Sequence, residues 1–220
     1  MTSSTCLLLG ATGLIGTSLL DLLLEDPGYR SVTVLTRRPL GRAHPKLIEV
    51  VCSLDRPETY QEHVAVDDVF CCLGTTMKKA GSREAFRKVD LEYPVSVARL
   101  ASSAGASQYL IVTAVGADPS SSLFYNRTKG EVEAALRALP FASGVKIFRP
   151  SMLLGDRSEA RPLERATAAF MSATGSLFAG PLRRYRAISG ADVARAMHRA
   201  AREEPHSTRI YEGATLFALV

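Results

Sequence analysis

Tyr125 and Lys129 stand one helical turn apart in "LFYNRTKGEVEAALRAL", a stretch whose apolar spacing predicts an amphipathic helix despite Gly130. Residues at that spacing share a helix face, so a phenol and an ammonium are set side by side. A free tyrosine titrates at about pH 10, too high for efficient proton exchange near neutrality. A neighbouring ammonium stabilises the phenolate and lowers that value. Such a pair gives a proton to a carbonyl oxygen as hydride arrives, or takes it away in the reverse direction. Lys129 has a second use, holding the hydroxyls of a nicotinamide ribose. Thr113, near the end of the predicted strand "SQYLIVTAV", is placed to orient the same carbonyl. In isolation a tyrosine and lysine at this spacing describe an exposed helix face. The weight here comes from what precedes them.

What precedes them is "LLLGATGLIG", residues 7–16, an apolar run that acquires Gly10, Gly13 and Gly16. The run lies between a predicted strand and a predicted helix, where a dinucleotide-binding fold places its pyrophosphate. Gly10 can make the tight turn, Gly13 can let phosphates approach the backbone, and Gly16 can let helix pack on strand. The helix N-terminus then offers free N–H groups and a partial positive charge to the anion. The spacing is GxxGxxG, not the common GxGxxG. At the end of the second strand, "VLTRRP", Arg37 and Arg38 stand where an NAD-preferring fold carries an acid for the ribose hydroxyls. An arginine fork clamps a 2′-phosphate through charge-assisted hydrogen bonds, which favours NADP(H), with Arg37 the better placed of the two.

The elements that must position these residues alternate. "TCLLLG", "SVTVLT", "KLIEVVCS", "DDVFCCLG", "SQYLIVTAV" and "GVKIFRP" read as strands, short and apolar without clean alternation. "LIGTSLLDLLLED", "SREAFRKVDLEYPVSVARLASSAG" and "LFYNRTKGEVEAALRAL" read as helices. Pro94 should kink the second or mark a first turn, and Gly105 should stop it. The rhythm predicts an α/β fold, a doubly wound parallel sheet with helices on both faces. Past Pro150 it loosens into an irregular helix "ERATAAFMSATGSLFAG", a short strand "YRAIS" and a helix "ADVARAMHRAAREE" capped by Ser189. Residues 1–220 are expected to form a single domain, with residues 151–187 as a small substrate-facing portion.

Composition narrows the class. With 220 residues, 46% of them hydrophobic, a sizeable core is affordable. The net charge of +5 and pI near 9.2 suit a phosphorylated ligand as well as nucleic acid. The basic residues are scattered and without aromatic interleaving, so no nucleic-acid partner is expected. Cys6, Cys52, Cys71 and Cys72 fall in apolar stretches and form no CxxC pair, which predicts reduced thiols and no metal site. "MTSST" lacks the basic region of a secretory signal, and charge interrupts the apolar runs, so neither export nor membrane association is expected. The expected location is the cytoplasm.

Five motifs in order, "GATGLIG", "TRRP", "CCLGTT", "YNRTK" and "FRPSMLLG", make the chain resemble the short-chain dehydrogenase/reductases over nearly its whole length. It is most similar to their atypical branch, the one containing the Tat-interacting oxidoreductase. The resemblance implies a Rossmann fold with a seven-stranded parallel sheet and bound NADP(H). It assigns Gly10, Thr12, Gly13, Leu14 and Ile15 to the phosphate turn, Arg37 to the 2′-phosphate, and Ser53 and Leu54 to the adenine. Leu73 and Gly74 match the loop after the fourth strand, and Thr113, Tyr125 and Lys129 the hydroxyl–tyrosine–lysine triad. Pro150, Ser151, Met152 and Leu153 match the loop that meets the nicotinamide amide. Three departures stand out: Ser53 where many relatives have aspartate, Asp90 where asparagine is usual, and threonine as the triad hydroxyl.

Two functions follow from different classes. One is an NADPH-dependent oxidoreductase acting on a small carbonyl or alcohol. The other is an NADP(H)-sensing regulator that binds a partner without turnover, which would not need an intact Tyr125–Lys129 pair. A nucleotide-sugar epimerase is disfavoured because the segment after Pro150 is short for wrapping a second nucleotide. Residues 75–82 and 155–185 should line the substrate pocket, and Lys78, Lys79, Arg157 and Arg161 hint at an acidic substrate. A homodimer is compatible with the sequence but not legible in it.

Overall fold

The computed structural model describes residues 3–154, 186–203 and 208–220. Its centre is β1 (Ser4–Leu9), the apolar run before the glycines, whose Cys6–Leu9 are fully buried. β1 pairs in parallel with β2 (Tyr29–Thr36) on one side and β4 (Asp68–Cys71) on the other. β2 pairs with β3 (Leu47–Val51), β4 with β5 (Gln108–Val112) and β5 with β6 (Val145–Arg149). β6 pairs with β9 (Arg209–Glu212). The result is a seven-stranded, all-parallel sheet in the order β3-β2-β1-β4-β5-β6-β9. The order reverses between β1 and β4, and the crevice beyond the carboxyl ends of these two strands is where such sheets take ligands.

Strand periodicity divides the core into two layers. Leu8, Val32, Val34 and Phe70 face one way, onto α1 (Leu14–Glu25) and α6 (Gly190–Ala200). Leu7, Leu9, Val69 and Ile111 face the other way, onto α4 (Tyr93–Ser103) and α5 (Phe124–Arg137). The doubly wound α/β expectation is what the chain forms. Lys146, in β6, is fully buried, and its ammonium donates to the carbonyls of Ala200, the last residue of α6, and of Glu203 just beyond it. A cation at that end also meets the negative pole of the helix.

Three sequence expectations are revised. The seventh strand is β9, "RIYE", which sequence reading passed over because an edge strand of four residues with Arg209 and Glu212 at its ends has no apolar run. "YRAIS" supplies β8 (Ile188–Ser189), which leaves the main sheet and pairs with β7 (Leu153–Leu154). The long helix before Gly105 is broken into α3 (Arg83–Arg87), a π-helical turn (Lys88–Glu92) and α4. Pro94 explains the break: a regular helix would drive its ring into the Asp90 carbonyl and leave that carbonyl without a donor. The wider turn closes instead through the Tyr93 N–H and the Lys88 carbonyl. Ser189 caps α6 as expected, accepting the Asp192 N–H. The expected helix "ERATAAFMSATGSLFAG" lies outside the described residues.

Candidate functional site

The turn after β1 is built from close backbone contacts. Gly10 has φ +79°, and a Cβ there would stand 2.6 Å from the Cys72 carbonyl oxygen at the end of β4. A Cβ on Gly16 would stand 2.1 Å from the Gly10 carbonyl oxygen, so α1 and the turn touch backbone to backbone. Gly13 is different. It is the N-cap of α1, and its added Cβ would meet only the Gly10 carbonyl, at 3.3 Å, with open space beyond. No side chain caps α1 and its first turn holds no acid, so its leading N–H groups face that space unpaired. Thr17 braces the turn from within the helix, its hydroxyl shared between the carbonyls of Ala11 and Gly13 at 3.1 and 2.9 Å.

Two cavities, of about 610 and 520 Å³, meet at this turn and share Thr12, Gly13, Leu73, Gly74, Thr75 and Lys79 on their walls. Together they form a two-lobed groove along the carboxyl ends of the central strands. The first lobe runs over Leu14 and Ile15 to Thr113, Tyr125, Lys129 and Leu153. The second runs over Gly10, Thr36, Arg37, Cys52, Leu54 and Tyr93. Two lobes with an uncapped helix N-terminus at the waist match two nucleosides joined by a pyrophosphate. The residues present therefore fit a dinucleotide, with the waist suited to the phosphates and the Arg37 lobe to one nucleoside.

The adenine-side assignments divide. Arg37 lines the second lobe, whereas Arg38 lies off its wall and offers its carbonyl to the Thr36 hydroxyl at 2.8 Å. Ser53 also turns away, its hydroxyl accepting the Asp55 N–H at 3.3 Å. Its neighbours Cys52 and Leu54 line the lobe instead.

At the other end, Tyr125 sits in the first turn of α5, 41% exposed, with its ring centroid 5.8 Å from that of Phe86. Lys129 follows one turn later and is only 5% exposed. Its Nζ lies 2.7 Å from Oδ1 of Asp90, which the π-helical turn delivers to the cavity wall. Burial alone would push the Lys129 ammonium toward losing its proton, but the charges of Asp90 and then Tyr125 outweigh that, and its pKa stands above the usual lysine value.

Thr113 reaches the cavity wall, but its hydroxyl donates to Glu133 Oε1 at 2.7 Å. Arg149 grips the same carboxylate through Nε at 2.9 Å and a second nitrogen at 2.6 Å, and also reaches Glu212 at 3.2 Å. Among the described residues that follow β6, Pro150–Leu154, Leu153 alone lines the groove. Pro150 accepts the Val115 N–H at 3.0 Å, Ser151 donates its hydroxyl to the Arg186 carbonyl, and Met152 is exposed and accepts the Ile188 N–H at 3.0 Å.

Sequence reading did not place Asp90 or Thr17 in the site. Asp90 was visible only as a departure from a usual asparagine, and its inward aim depends on the π turn. Within the stretch 75–82, Lys79 lines both lobes while Lys78 lines neither. Arg157 and Arg161 lie outside the described residues.

Comparison with known proteins adds the lineage. The chain is 33% identical over 206 residues to the protein FMP52, mitochondrial, of Coccidioides immitis, covering 88% of this chain and 83% of that one. It is 38% identical over 168 residues to the protein HTATIP2 of Rattus norvegicus, covering 74% and 69% respectively. Among solved structures, the Bordetella bronchiseptica enzyme WbmH in complex with NAD+ superposes with a TM-score of 0.71 at 16% identity, covering 97% of this chain and 77% of that one. The UDP-glucose 4-epimerase of Thermotoga maritima, solved with UDP-glucose, gives 0.68 at 15% identity, covering 94% and 76%. These two likenesses show the fold.

The relatives correct one expectation. FMP52 proteins from Coccidioides immitis, Candida albicans, Emericella nidulans and Debaryomyces hansenii are all named mitochondrial, which overturns the cytoplasmic assignment. The features behind that assignment do not discriminate. The four cysteines are free thiols, and no helix among the described residues is long and apolar enough to cross a membrane, but a mitochondrial protein shares both properties. The model of the NAD dependent epimerase/dehydratase family matches residues 6–212, and the chain belongs to that family.

Proposed function

We propose that the protein is an NADPH-dependent oxidoreductase acting on a small carbonyl or alcohol substrate. The observation that carries this reading is the buried, charged Lys129 one turn from a half-exposed Tyr125, on a lobe that continues into the uncapped glycine turn. When bound, a nicotinamide dinucleotide supplies or accepts the hydride. The N–H groups at the start of α1 hold its phosphates, and Gly13 leaves them room. Arg37, on the adenine-side lobe, supplies a guanidinium for a 2′-phosphate, and this supports NADP(H) over NAD(H). Lys129 holds the hydroxyls of the nicotinamide ribose.

Tyr125 hands its hydroxyl proton to the carbonyl oxygen as hydride reaches the carbon, and the Lys129 ammonium stabilises the phenoxide left behind. In the oxidative direction Tyr125 takes the proton from the alcohol. Thr113 gives its own proton to Glu133, so its contribution is to fix the strand end and to offer lone pairs. Between Thr113 and Tyr125, proton donation falls to Tyr125.

The test is NADPH oxidation across a panel of aldehydes, ketones and nucleotide sugars, with wild type beside Tyr125→Phe. Turnover on a carbonyl compound that drops by about 10²–10⁴ in the variant, with NADPH affinity kept, supports the reading. A variant as fast as wild type removes the mechanism. No oxidation of NADPH by any member, together with an NADPH-dependent change in affinity for a protein partner, replaces the enzyme with a cofactor sensor.

A further inference from the structure

Asp90 is 2% exposed, and three elements converge on it. The π-helical turn carries it, α5 brings Lys129 Nζ to 2.7 Å from Oδ1, and the loop after β4 donates the Thr75 N–H to Oδ2 at 2.8 Å. Gly74, beside Thr75, lies on the wall common to both lobes, and a Cβ there would sit 3.7 Å from Asp90 Oδ1. Among the described residues, the other titratable groups that act on Lys129 are Tyr125 on its own helix and Cys71 at the end of β4. Cys71 is fully buried, and burial pushes its thiol up. Glu133, one turn further along α5, is held by Arg149 and Thr113. Among the described residues, the carboxylate that compensates Lys129 is Asp90.

We propose that Asp90 is a positioning residue: it keeps the buried Lys129 protonated at the cavity wall and ties that ammonium to the Gly74–Thr75 loop. An ammonium without a partner at this depth would shed its proton, because burial penalises the charged form. An amide at position 90 has the same shape and can still accept the Thr75 N–H, but it carries no charge. The charge effect is independent of what fills the groove. Only the binding arm of the test rests on the proposed cofactor.

Lysines labelled at 13Cε are titrated by NMR from about pH 7 to about pH 11, with Lys129 assigned by the signal lost in Lys129→Met. The wild-type signal should titrate above the ordinary lysine value. In Asp90→Asn it should titrate at least about one pH unit lower, the shift an adjacent opposite charge commands, and Asp90→Glu should recover part of it. NADPH affinity, measured by calorimetry over the same range, should fall in Asp90→Asn as its lysine loses the proton, and should hold in wild type. A Lys129 signal that titrates alike in wild type and a folded Asp90→Asn overturns the proposal. A shifted lysine with NADPH affinity indifferent to pH upholds the role of Asp90 and removes Lys129 from the cofactor. If Asp90→Asn does not fold, recovery of the fold in Asp90→Asn/Lys129→Met upholds the charge match. Failure of that double variant to fold overturns it in favour of a purely structural carboxylate.

Discussion

Thr113 and Glu133 are joined by a buried 2.7 Å hydrogen bond in which the threonine is the donor, so the hydroxyl just past β5 commits its proton to a carboxylate of the core. Glu133 is almost wholly buried and keeps two bonds from Arg149 when Thr113 is lost. Thr113→Val should therefore lower stability by about 1.5–3 kcal/mol, the range for a hydrogen bond to a charged group. NADPH binding should be unaffected, and turnover should fall far less than in Tyr125→Phe. Urea unfolding and calorimetry check the first two. A rate loss equal to that of Tyr125→Phe would mean that the hydroxyl turns to the substrate during reaction.

Gly13 and Gly16 should fail in different ways. Gly13→Val places a branched side chain in the open space before α1, so circular dichroism should remain native-like while NADPH binding disappears. Gly16→Val collides with the Gly10 carbonyl and should disrupt the turn and the fold with it. Binding retained in Gly13→Val would leave that glycine with no part in ligand approach.

Arg37 and Arg38 are adjacent in sequence, but only Arg37 lines the adenine-side lobe. Arg37→Ala should narrow the preference for NADPH over NADH by about ten- to a hundredfold, the equivalent of one charge-assisted contact. Arg38→Ala should change it by less than about threefold. Parallel fluorescence titrations of both cofactors decide the matter, and equal wild-type affinities would remove the 2′-phosphate assignment.

The Lys129–Asp90 pair should also contribute to stability at alkaline pH. The pKa of Lys129 is raised on folding, so the folded state holds this proton more tightly than the unfolded chain does. That contribution is complete below the unfolded value of about 10.4 and is lost as pH rises through the folded one. The urea midpoint of wild type should thus decline above about pH 10.4, whereas Lys129→Met should show a shallower decline. An identical alkaline slope in both would place the loss elsewhere.

Where one local rule governed, the fold and site were legible. Leu7–Leu9 could only be a buried strand, Ser189 announced a helix start, and Gly10–Gly16 announced a turn against which something packs closely. Tyr125 and Lys129 needed only the helical period. Residues whose aim depends on a neighbour's geometry were not legible. Arg37 and Arg38 are equivalent in sequence until the turn after β2 sends one into the groove. Ser53 yields the wall of the second lobe to Cys52 and Leu54 because its hydroxyl caps a local turn. Thr113 was read as facing substrate because Glu133, which takes its proton, is a full element away in sequence. β9 needed the sheet itself to declare it, since its pattern is that of an edge.

The widened turn at residues 88–92 has a consequence for how the acid at position 90 is inherited. Such a turn is equivalent to one residue spliced into a regular helix, and each residue adds about 100° of rotation. Deleting a single residue there, with Pro94 replaced so that a regular helix can close, would leave α4 in place and swing everything before it by that angle, carrying the carboxylate out of line with Lys129. The pairing is thus a property of helical phase as much as of residue identity. A chain with an aspartate at the matching position but an unbroken helix would carry the letter without the contact.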